Sequence, residues 1–186
     1  CDVIVSKNIK TNYFEIDIDE LKFSINYYDL IYSNCFLHMT NDFANTLKAI
    51  LNSLKPNGFF IGIIPNIENM YQLVNSMYEA DNSFYKGSFQ RFNPTMEIDN
   101  ILSILKKLNF DIPSIYNDTI SIDYKNFNKL IKEVKKMNLS YCHLDKKQTF
   151  ENKLYFKKLE NIYRNRYFDE TYPLDVKINI ISAWKK

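Results

Sequence analysis

Two short apolar runs with one amphipathic stretch between them constrain the fold of this chain more than any other feature. Residues 29–33 and 59–64 are mostly apolar, as expected for strands that are covered on both faces. Residues 43–54 repeat apolar side chains at helical spacing. The helix-capping pair Asn41-Asp42 precedes them, and the turn Pro56-Asn57-Gly58 follows. A strand, a helix and a second strand in this order predict two parallel neighbours in an α/β sheet.

The rest of the chain continues this alternation. Alternating or apolar runs predict further strands, and apolar residues at helical spacing predict further helices. The predicted strands are residues 12–17, 119–124 and 176–184; the predicted helices are residues 70–78, 98–108, 127–134 and 150–163; and residues 82–96 read as a loop. The length allows one domain. We therefore expect a single α/β domain over residues 1–186, with a mainly parallel sheet and helices on both of its faces.

Composition excludes several classes of protein. A net charge of +2, without a basic stripe that carries interleaved aromatic residues, argues against a nucleic-acid partner. No apolar run approaches the roughly 18 residues of a membrane span, so no integral membrane segment is expected. Cys1, Cys35 and Cys142 show no paired spacing and the two histidines lie far apart, which indicates a reducing compartment and argues against a metal site.

Polar residues that follow the early strands are the first candidates for a binding site. Ligands of open α/β sheets bind beyond the carboxyl ends of the strands, where the strand order reverses. The residues selected by this rule are Asp2, Asp17-Ile18-Asp19 and Ser33-Asn34-Cys35.

Three segments resemble the class I S-adenosylmethionine (SAM)-dependent methyltransferases of the type 11 group. Residues 17–23, Asp-Ile-Asp-Glu-Leu-Lys-Phe, are similar to the D-x-x-x-L-P-F segment after the third strand of these enzymes, although Lys22 replaces the usual proline. Residues 34–39, Asn-Cys-Phe-Leu-His-Met, are similar to the segment that ends their fourth strand. Residues 54–58, Leu-Lys-Pro-Asn-Gly, match the turn before their fifth strand.

The resemblance implies SAM as the cofactor and assigns residues to it. Asp2 would bind the two ribose hydroxyls, because the oxygens of one carboxylate can accept both O–H bonds. Asp17 would accept a hydrogen bond from the adenine amino group, and Ile18, Asn34 and Cys35 would complete the cofactor site. Without the resemblance, a lone carboxylate is a solvated group and Cys35 is a small buried hydrophobe.

The same resemblance places the acceptor on segments outside the minimal sheet. Residues 67–96 and 125–166 carry many Tyr and Phe, which suit a half-apolar pocket or a docking groove for a protein. His38 follows the cofactor segment and is the candidate catalytic residue; a hydrogen-bonded packing histidine is the alternative. Arg91 is the candidate substrate residue, since it could hold an acidic group by a bidentate contact; an arginine at the surface is the alternative. No metal ligands are predicted.

Matches along the later part of the chain resemble two related branches of these proteins. One is the complex I assembly factor 5 family of mitochondria and alphaproteobacteria, and the other is the malonyl-carrier-protein O-methyltransferase of biotin synthesis. Phe60-Ile61-Gly62 and Ala183-Trp184-Lys185 fit the assembly factor better. The resemblance implies a Rossmann-like mixed sheet whose last strand lies antiparallel at the sheet edge, with extra helices before that strand.

Three classes of function stay open on this reading. The first is a SAM-dependent methyltransferase acting on a small acid, an acyl carrier or a protein side chain. The second, implied by the assembly-factor resemblance, is a SAM-fold protein that hydroxylates an arginine of a complex I subunit. The third is a binding module without enzymatic activity. The expected location is the bacterial cytoplasm, or the mitochondrial matrix in a eukaryote.

The Gly-rich loop that follows the first strand in this family has no counterpart in the sequence. The chain opens on Cys1, and we read it as a methyltransferase-type sheet that lacks its first strands. The strands at residues 12–17 and 28–33 would then keep unpaired, apolar edges. We therefore expect the chain alone to be inactive, to bind the cofactor weakly, and to aggregate or associate with a partner chain.

Overall fold

The structure, a computed structural model, consists of alternating strands and helices. It describes residues 23–137, 139–141 and 151–186. The elements in chain order are β1 Tyr28–Asn34, a 3-10 helix Leu37–Met39, α1 Phe43–Ser53, β2 Leu54–Pro65, α2 Tyr71–Tyr85, α3 Ile98–Lys107, β3 Phe110–Tyr124, α4 Phe127–Lys136, α5 Lys153–Tyr167 and β4 Tyr172–Lys185. The α/β fold is confirmed, while the strand predicted at residues 12–17 lies outside the described residues.

The described strands form one mixed sheet in the order β1-β2-β4-β3. β1 and β2 run parallel, with Ser33 opposite Gly62, as the first two apolar runs predict. β4 is antiparallel to both of its neighbours, β2 and β3. The predicted direction of the last strand is therefore confirmed, but its predicted place at the sheet edge is wrong. β3 forms the edge because it already begins at Phe110 and pairs with β4 as far as Tyr124.

Helix α1 joins the two parallel strands and begins where the sequence predicts. The carboxylate of Asp42 caps it by accepting a hydrogen bond from the backbone N–H of Asn45 at 2.9 Å. The turn predicted at residues 56–58 is an irregular start of β2, where the pairing passes from Tyr28 opposite Leu54 to Leu30 opposite Phe59. The residues between these two pairs loop out of the ladder.

The connection between α2 and α3 starts later than predicted. Helix α2 continues to Tyr85, and Lys86 ends it with a left-handed φ of 56°. Residues 86–97, which we call the α2–α3 loop, are therefore the connection, instead of residues 82–96. Residues 89–95 of this loop line a cavity together with Pro65 at the end of β2.

Two clusters of buried side chains form the core. Phe60 and Ile181 of the sheet pack with α1 and α3 in one cluster. Tyr155 and Tyr163 of α5 pack with α2, α4 and the first part of β4 in the other. None of the helices in the described ranges is long and apolar enough to cross a membrane.

We predict that Gly62→Ala destabilises the protein by about 1–3 kcal/mol, because it overfills a packed core. A Cβ atom at Gly62 would lie 2.8 Å from Cζ of Phe60 and 3.3 Å from Cδ1 of Leu37, and both of these side chains are buried. Urea unfolding of the full-length protein measures the loss. Gly87→Ala is the matched control, since nothing lies within 4 Å of its added Cβ. Equal stability of the two variants would contradict the prediction.

Candidate active site

A cavity of about 250 Å³ lies just beyond the carboxyl ends of the parallel strands β1 and β2. The 3-10 helix that follows β1 contributes His38 to its lining, and residues 65–70 at the end of β2 form a second wall. Helix α2 supplies Val74 and Met77, and the α2–α3 loop supplies residues 89–95. We call this space the strand-end cavity. Its place is the one at which open α/β sheets bind their ligands.

His38 is one of the residues that line the strand-end cavity. Both of its ring nitrogens are buried, and neither has a hydrogen-bond partner in the part of the chain that the structure describes. Burial lowers the pKa of His38, so the ring is neutral at physiological pH, with one donor and one acceptor nitrogen. The hydrogen bonds expected of a packing histidine are absent among the described residues. The catalytic role of His38 stays a prediction, and the ring is chemically suited to it.

A wider groove of about 710 Å³ adjoins the strand-end cavity on the side of α1 and α3. The two spaces share His38, Ile67, Pro94 and Thr95 in their linings. His38 therefore contributes to the lining of both spaces.

The carboxyl end of β1 carries backbone strain. Cys35 has a φ of 48°, a left-handed conformation that side chains other than those of Gly, Asn and Asp rarely adopt. Its backbone N–H donates to the carbonyl of Ile63 at 2.8 Å, which ties this bend to β2. Burial raises the pKa of the Cys35 thiol, so it remains protonated and unreactive. Strain of this kind clusters at ligand-binding edges.

Asn34, next to this bend, does not line the strand-end cavity. It contributes instead to a separate cleft of about 180 Å³ together with Phe23, Ile31 and Thr46. Ser33 lines the same cleft, and its buried hydroxyl oxygen has no hydrogen-bond partner within residues 23–137, 139–141 and 151–186. The end of β1 therefore combines a strained backbone at Cys35 with a buried hydroxyl at Ser33 that makes no hydrogen bond among the described residues.

Arg91 lines the strand-end cavity, but carboxylates already occupy its guanidinium. Nε donates to Oδ2 of Asp81 at 3.1 Å, and Nη2 donates to Oε1 of Glu151 at 2.8 Å and also to Oδ1 of Asp81. Burial opposes the charge, but these hydrogen bonds outweigh it and raise the pKa of Arg91. The alternative of a surface arginine is wrong, since the side chain is only 17% exposed. An acidic acceptor group would have to share the guanidinium with both carboxylates.

Asp81, which the sequence reasoning missed, is the centre of this network. Its side chain is fully buried and also accepts hydrogen bonds from the Tyr155 hydroxyl at 2.8 Å and the Phe89 backbone N–H at 3.1 Å. Position 81 lies on the same apolar helical stripe as Val74 and Met77. An acid on such a stripe is expected to be buried and to need a partner, so the sequence did carry a signal for Asp81. Nothing in the local sequence indicates Glu151 as the second partner of Arg91.

The structure brings together only part of the predicted site. His38 and Arg91 line the same cavity. Asp2, Asp17 and Ile18 lie outside the described residues, so their roles at the cofactor stay predictions. Within the described ranges, no group of three or more His, Cys, Asp or Glu side chains could hold a metal ion.

Comparison with known proteins agrees with the sequence resemblance. Residues 3–62 match the family model described as a methyltransferase domain. A mitochondrial arginine-hydroxylase NDUFAF5 from Dictyostelium discoideum is 28% identical over 84% of this chain and 36% of that protein. The protein of the same name from Rattus norvegicus is 25% identical over 97% of this chain and 53% of that protein. A malonyl-(acyl-carrier protein) O-methyltransferase 1 from Coxiella burnetii is 21% identical over 74% of this chain and 46% of that protein.

The chain spans about half the length, or less, of these curated relatives. Solved structures with the same fold include a candidate methyltransferase from Bacillus halodurans, with a TM-score of 0.57 and 12% identity over 92% of this chain and 70% of that one. The YcgJ protein from Bacillus subtilis gives a TM-score of 0.55 and 11% identity over 91% of this chain and 68% of that one. Identities this low show the fold alone, which is the Rossmann-like fold of SAM-dependent methyltransferases.

We predict that His38 makes the folding stability fall as the pH drops below about 6.5, the ordinary pKa of histidine. The folded state holds the pKa of His38 below that value, so the unfolded chain binds the proton first and gains stability from it. His38→Gln should flatten the loss of stability between pH 7 and pH 5 that urea unfolding measures. His143→Gln, which removes the other histidine, is the control. An unchanged pH dependence in His38→Gln would contradict the assignment.

Proposed function

We propose that this chain is part of a SAM-dependent methyltransferase. The premise is that it contains a methyltransferase domain with the class I SAM-dependent fold. The acceptor is a small acid, an acyl carrier or a protein side chain. The main support is the position of the neutral His38 ring in the lining of a cavity beyond the carboxyl ends of β1 and β2. Residues 67–96 and 125–166 form the acceptor side of the domain.

The described residues at the end of β1 fit a cofactor at this edge. Cys35 holds a strained backbone there, and the hydroxyl of Ser33 is buried without a hydrogen-bond partner among the described residues. We assign Asn34, Cys35 and Ile18 to the cofactor contacts, with Asp17 at the adenine and Asp2 at the ribose. SAM, when bound, supplies an electrophilic methyl group. The residues of this chain hold donor and acceptor in line, and alignment of this kind accounts for most of the catalysis.

His38 has a role in proton transfer that depends on the acceptor. Its neutral ring can accept a proton from a hydroxyl or an N–H group as the methyl group is transferred, which contributes about 10²–10⁴-fold to the rate. A carboxylate acceptor is already deprotonated and needs no base. In that case the ring serves to orient the acceptor by a hydrogen bond.

We predict that Asp17→Ala weakens the binding of S-adenosylhomocysteine, the product form of the cofactor, by roughly tenfold or more. A hydrogen bond to a charged group contributes about 1.5–3 kcal/mol, and about 1.4 kcal/mol corresponds to a factor of ten. Calorimetric titration of the full-length protein measures the change. Asp19→Ala, which removes a carboxylate two positions further on, is the control and should bind normally. Unchanged affinity in Asp17→Ala would remove Asp17 from the adenine site.

We predict that His38→Ala slows methyl transfer to a proton-bearing acceptor by about 10²-fold or more, while S-adenosylhomocysteine binds normally. Transfer of label from methyl-labelled SAM is measured on an arginine-containing peptide, whose guanidinium bears protons, and on malonyl-acyl carrier protein, whose carboxylate needs no base and should be affected less. His143→Gln serves as the control for general effects of losing a histidine. A wild-type rate in His38→Ala, with cofactor binding intact, would return His38 to a packing role.

Arginine hydroxylation is the second candidate function. It is supported by the relatives named arginine-hydroxylase, which match 84% and 97% of this chain. The mass of a product peptide separates the two reactions, since methylation adds a methylene and hydroxylation adds an oxygen atom. Under this alternative the protein assists complex I assembly, and a eukaryotic form works in the mitochondrial matrix. Failure of the full-length protein to bind SAM or its product would instead favour a non-enzymatic binding module.

A further inference from the structure

We propose that Asp81, Arg91 and Glu151 form a clamp that fixes residues 89–95 as one wall of the strand-end cavity. Arg91 is then a positioning residue, which holds the wall around the acceptor without binding the acceptor itself. The inference rests on the proposed function, because it takes the strand-end cavity as the acceptor site.

Asp81 joins two opposite walls of the cavity. It lies on α2, one turn beyond Met77 and Tyr78, which line the cavity from the helix side. Its carboxylate accepts hydrogen bonds from the backbone N–H of Phe89 at 3.1 Å and from Nε of Arg91 at 3.1 Å, both in the α2–α3 loop. The position of the loop wall is therefore set directly by the helix wall.

Glu151 and Tyr155 fasten the same loop to the start of α5. Oε1 of Glu151 accepts from Nη2 of Arg91 at 2.8 Å, and Oε2 accepts from the hydroxyl of Tyr85, on α2, at 2.6 Å. The guanidinium carbon of Arg91 lies 4.9 Å from the centre of the Tyr155 ring, and the Tyr155 hydroxyl donates to Asp81. Three segments of the chain thus meet at Arg91.

Burial gives the clamp its strength. The side chain of Asp81 is 0% exposed and that of Glu151 is 8% exposed. Removing Arg91 from them would leave buried carboxylates without their cation, which is far more costly than losing a pair at the surface. The loop therefore cannot move away from α2 and α5 without breaking this charge compensation.

A second attachment keeps the loop near the cavity if the clamp is weakened. The backbone N–H of Tyr141 donates to the carbonyl of Arg91 at 2.9 Å, and Phe92 forms an isolated antiparallel bridge with Ser140. Conservative substitutions in the clamp should therefore loosen residues 87–95 locally, while the rest of the fold persists. Arg91→Lys keeps the charge but loses the forked contact, and Glu151→Gln removes one anchor.

The chain offers a matched control for these variants. Arg166 and Glu79 form an ion pair between the same two helices, α5 and α2, but both side chains are about half exposed. Neither residue lines the strand-end cavity. Arg166→Lys makes the same chemical change as Arg91→Lys at a position away from the wall.

The first measurement is backbone hydrogen exchange in the full-length protein. We expect exchange of residues 87–95 to quicken by roughly tenfold in Arg91→Lys and in Glu151→Gln, because local opening becomes easier. Residues 87–95 should exchange at the wild-type rate in Arg166→Lys. Thermal melting confirms that the variants are folded, and if one of the two fails to fold, the other carries the test.

The second measurement is the pKa of His38, followed by NMR and assigned with His143→Gln. Water that enters a loosened cavity should raise the pKa of His38 toward its ordinary value, since burial is what lowers it. In Glu151→Gln the lost negative charge would by itself shift this pKa in the opposite direction, so a rise identifies the opened wall. Among the described residues, the other ionisable side chains that line the two spaces next to His38 are those of Tyr78, Arg91, Asp42 and Glu97. Arg91→Lys leaves the charge of every one of these positions unchanged.

Faster exchange together with a raised His38 pKa in both clamp variants would support the clamp. Unchanged values in both, or equal changes in Arg166→Lys, would overturn it. Titration with S-adenosylhomocysteine separates this result from the proposed function, because both measurements are made without cofactor or acceptor. A wild-type protein that fails to bind the product would refute the methyltransferase proposal. The clamp would still be tested by the hydrogen exchange of residues 87–95 and by the pKa of His38.

Discussion

The pairing of β4 between β2 and β3 is the interaction on which the rest of the structure depends. It supplies both neighbours with antiparallel partners and buries Ile181 and Ala183 at the centre of the sheet. The same strand also shapes the strand-end cavity. Beyond the last β2 pair, the carbonyl of Lys177 accepts from the backbone N–H of Asn66, and that of Asp175 accepts from the N–H of Met70. The wall formed by residues 65–70 is thus an extension of the sheet's own hydrogen bonding.

Left-handed backbones and buried polar atoms that lack a partner among the described residues occur together at this edge of the sheet. Cys35 directly follows β1, and Met70 directly precedes α2. Both have left-handed backbones, although neither is Gly or Asn. Between them lies His38, whose two buried nitrogens have no partner among the described residues. Each left-handed residue and each unsatisfied buried polar atom costs about 1–3 kcal/mol of folding stability. The apolar packing of the cores around α1 and α5 has to offset this cost.

Local patterns in the sequence account for the elements better than for the site. The stripe that defines α1 and the capping Asp42 depend on neighbours three or four residues away, so they can be recognised along the chain. The first part of β3 has no such signature, because Tyr116, Asn117 and Asp118 are all exposed on an edge strand. Partners that are distant in sequence, such as Arg91 and Glu151, become visible only once α2 and α5 are packed together.

The charge balance of the strand-end cavity bears on the kind of acceptor it suits. Of the described residues that line it, His38, Tyr78 and Arg91 are ionisable, and the one fixed cation, Arg91, already compensates buried carboxylates. A free carboxylate placed there would lose its hydration without gaining an uncommitted cation, and the uncompensated desolvation of an ion costs several kcal/mol. A group that is neutral when it reacts avoids this cost. The electrostatics of the described wall thus favour recognition by shape and neutral hydrogen bonds over recognition by charge.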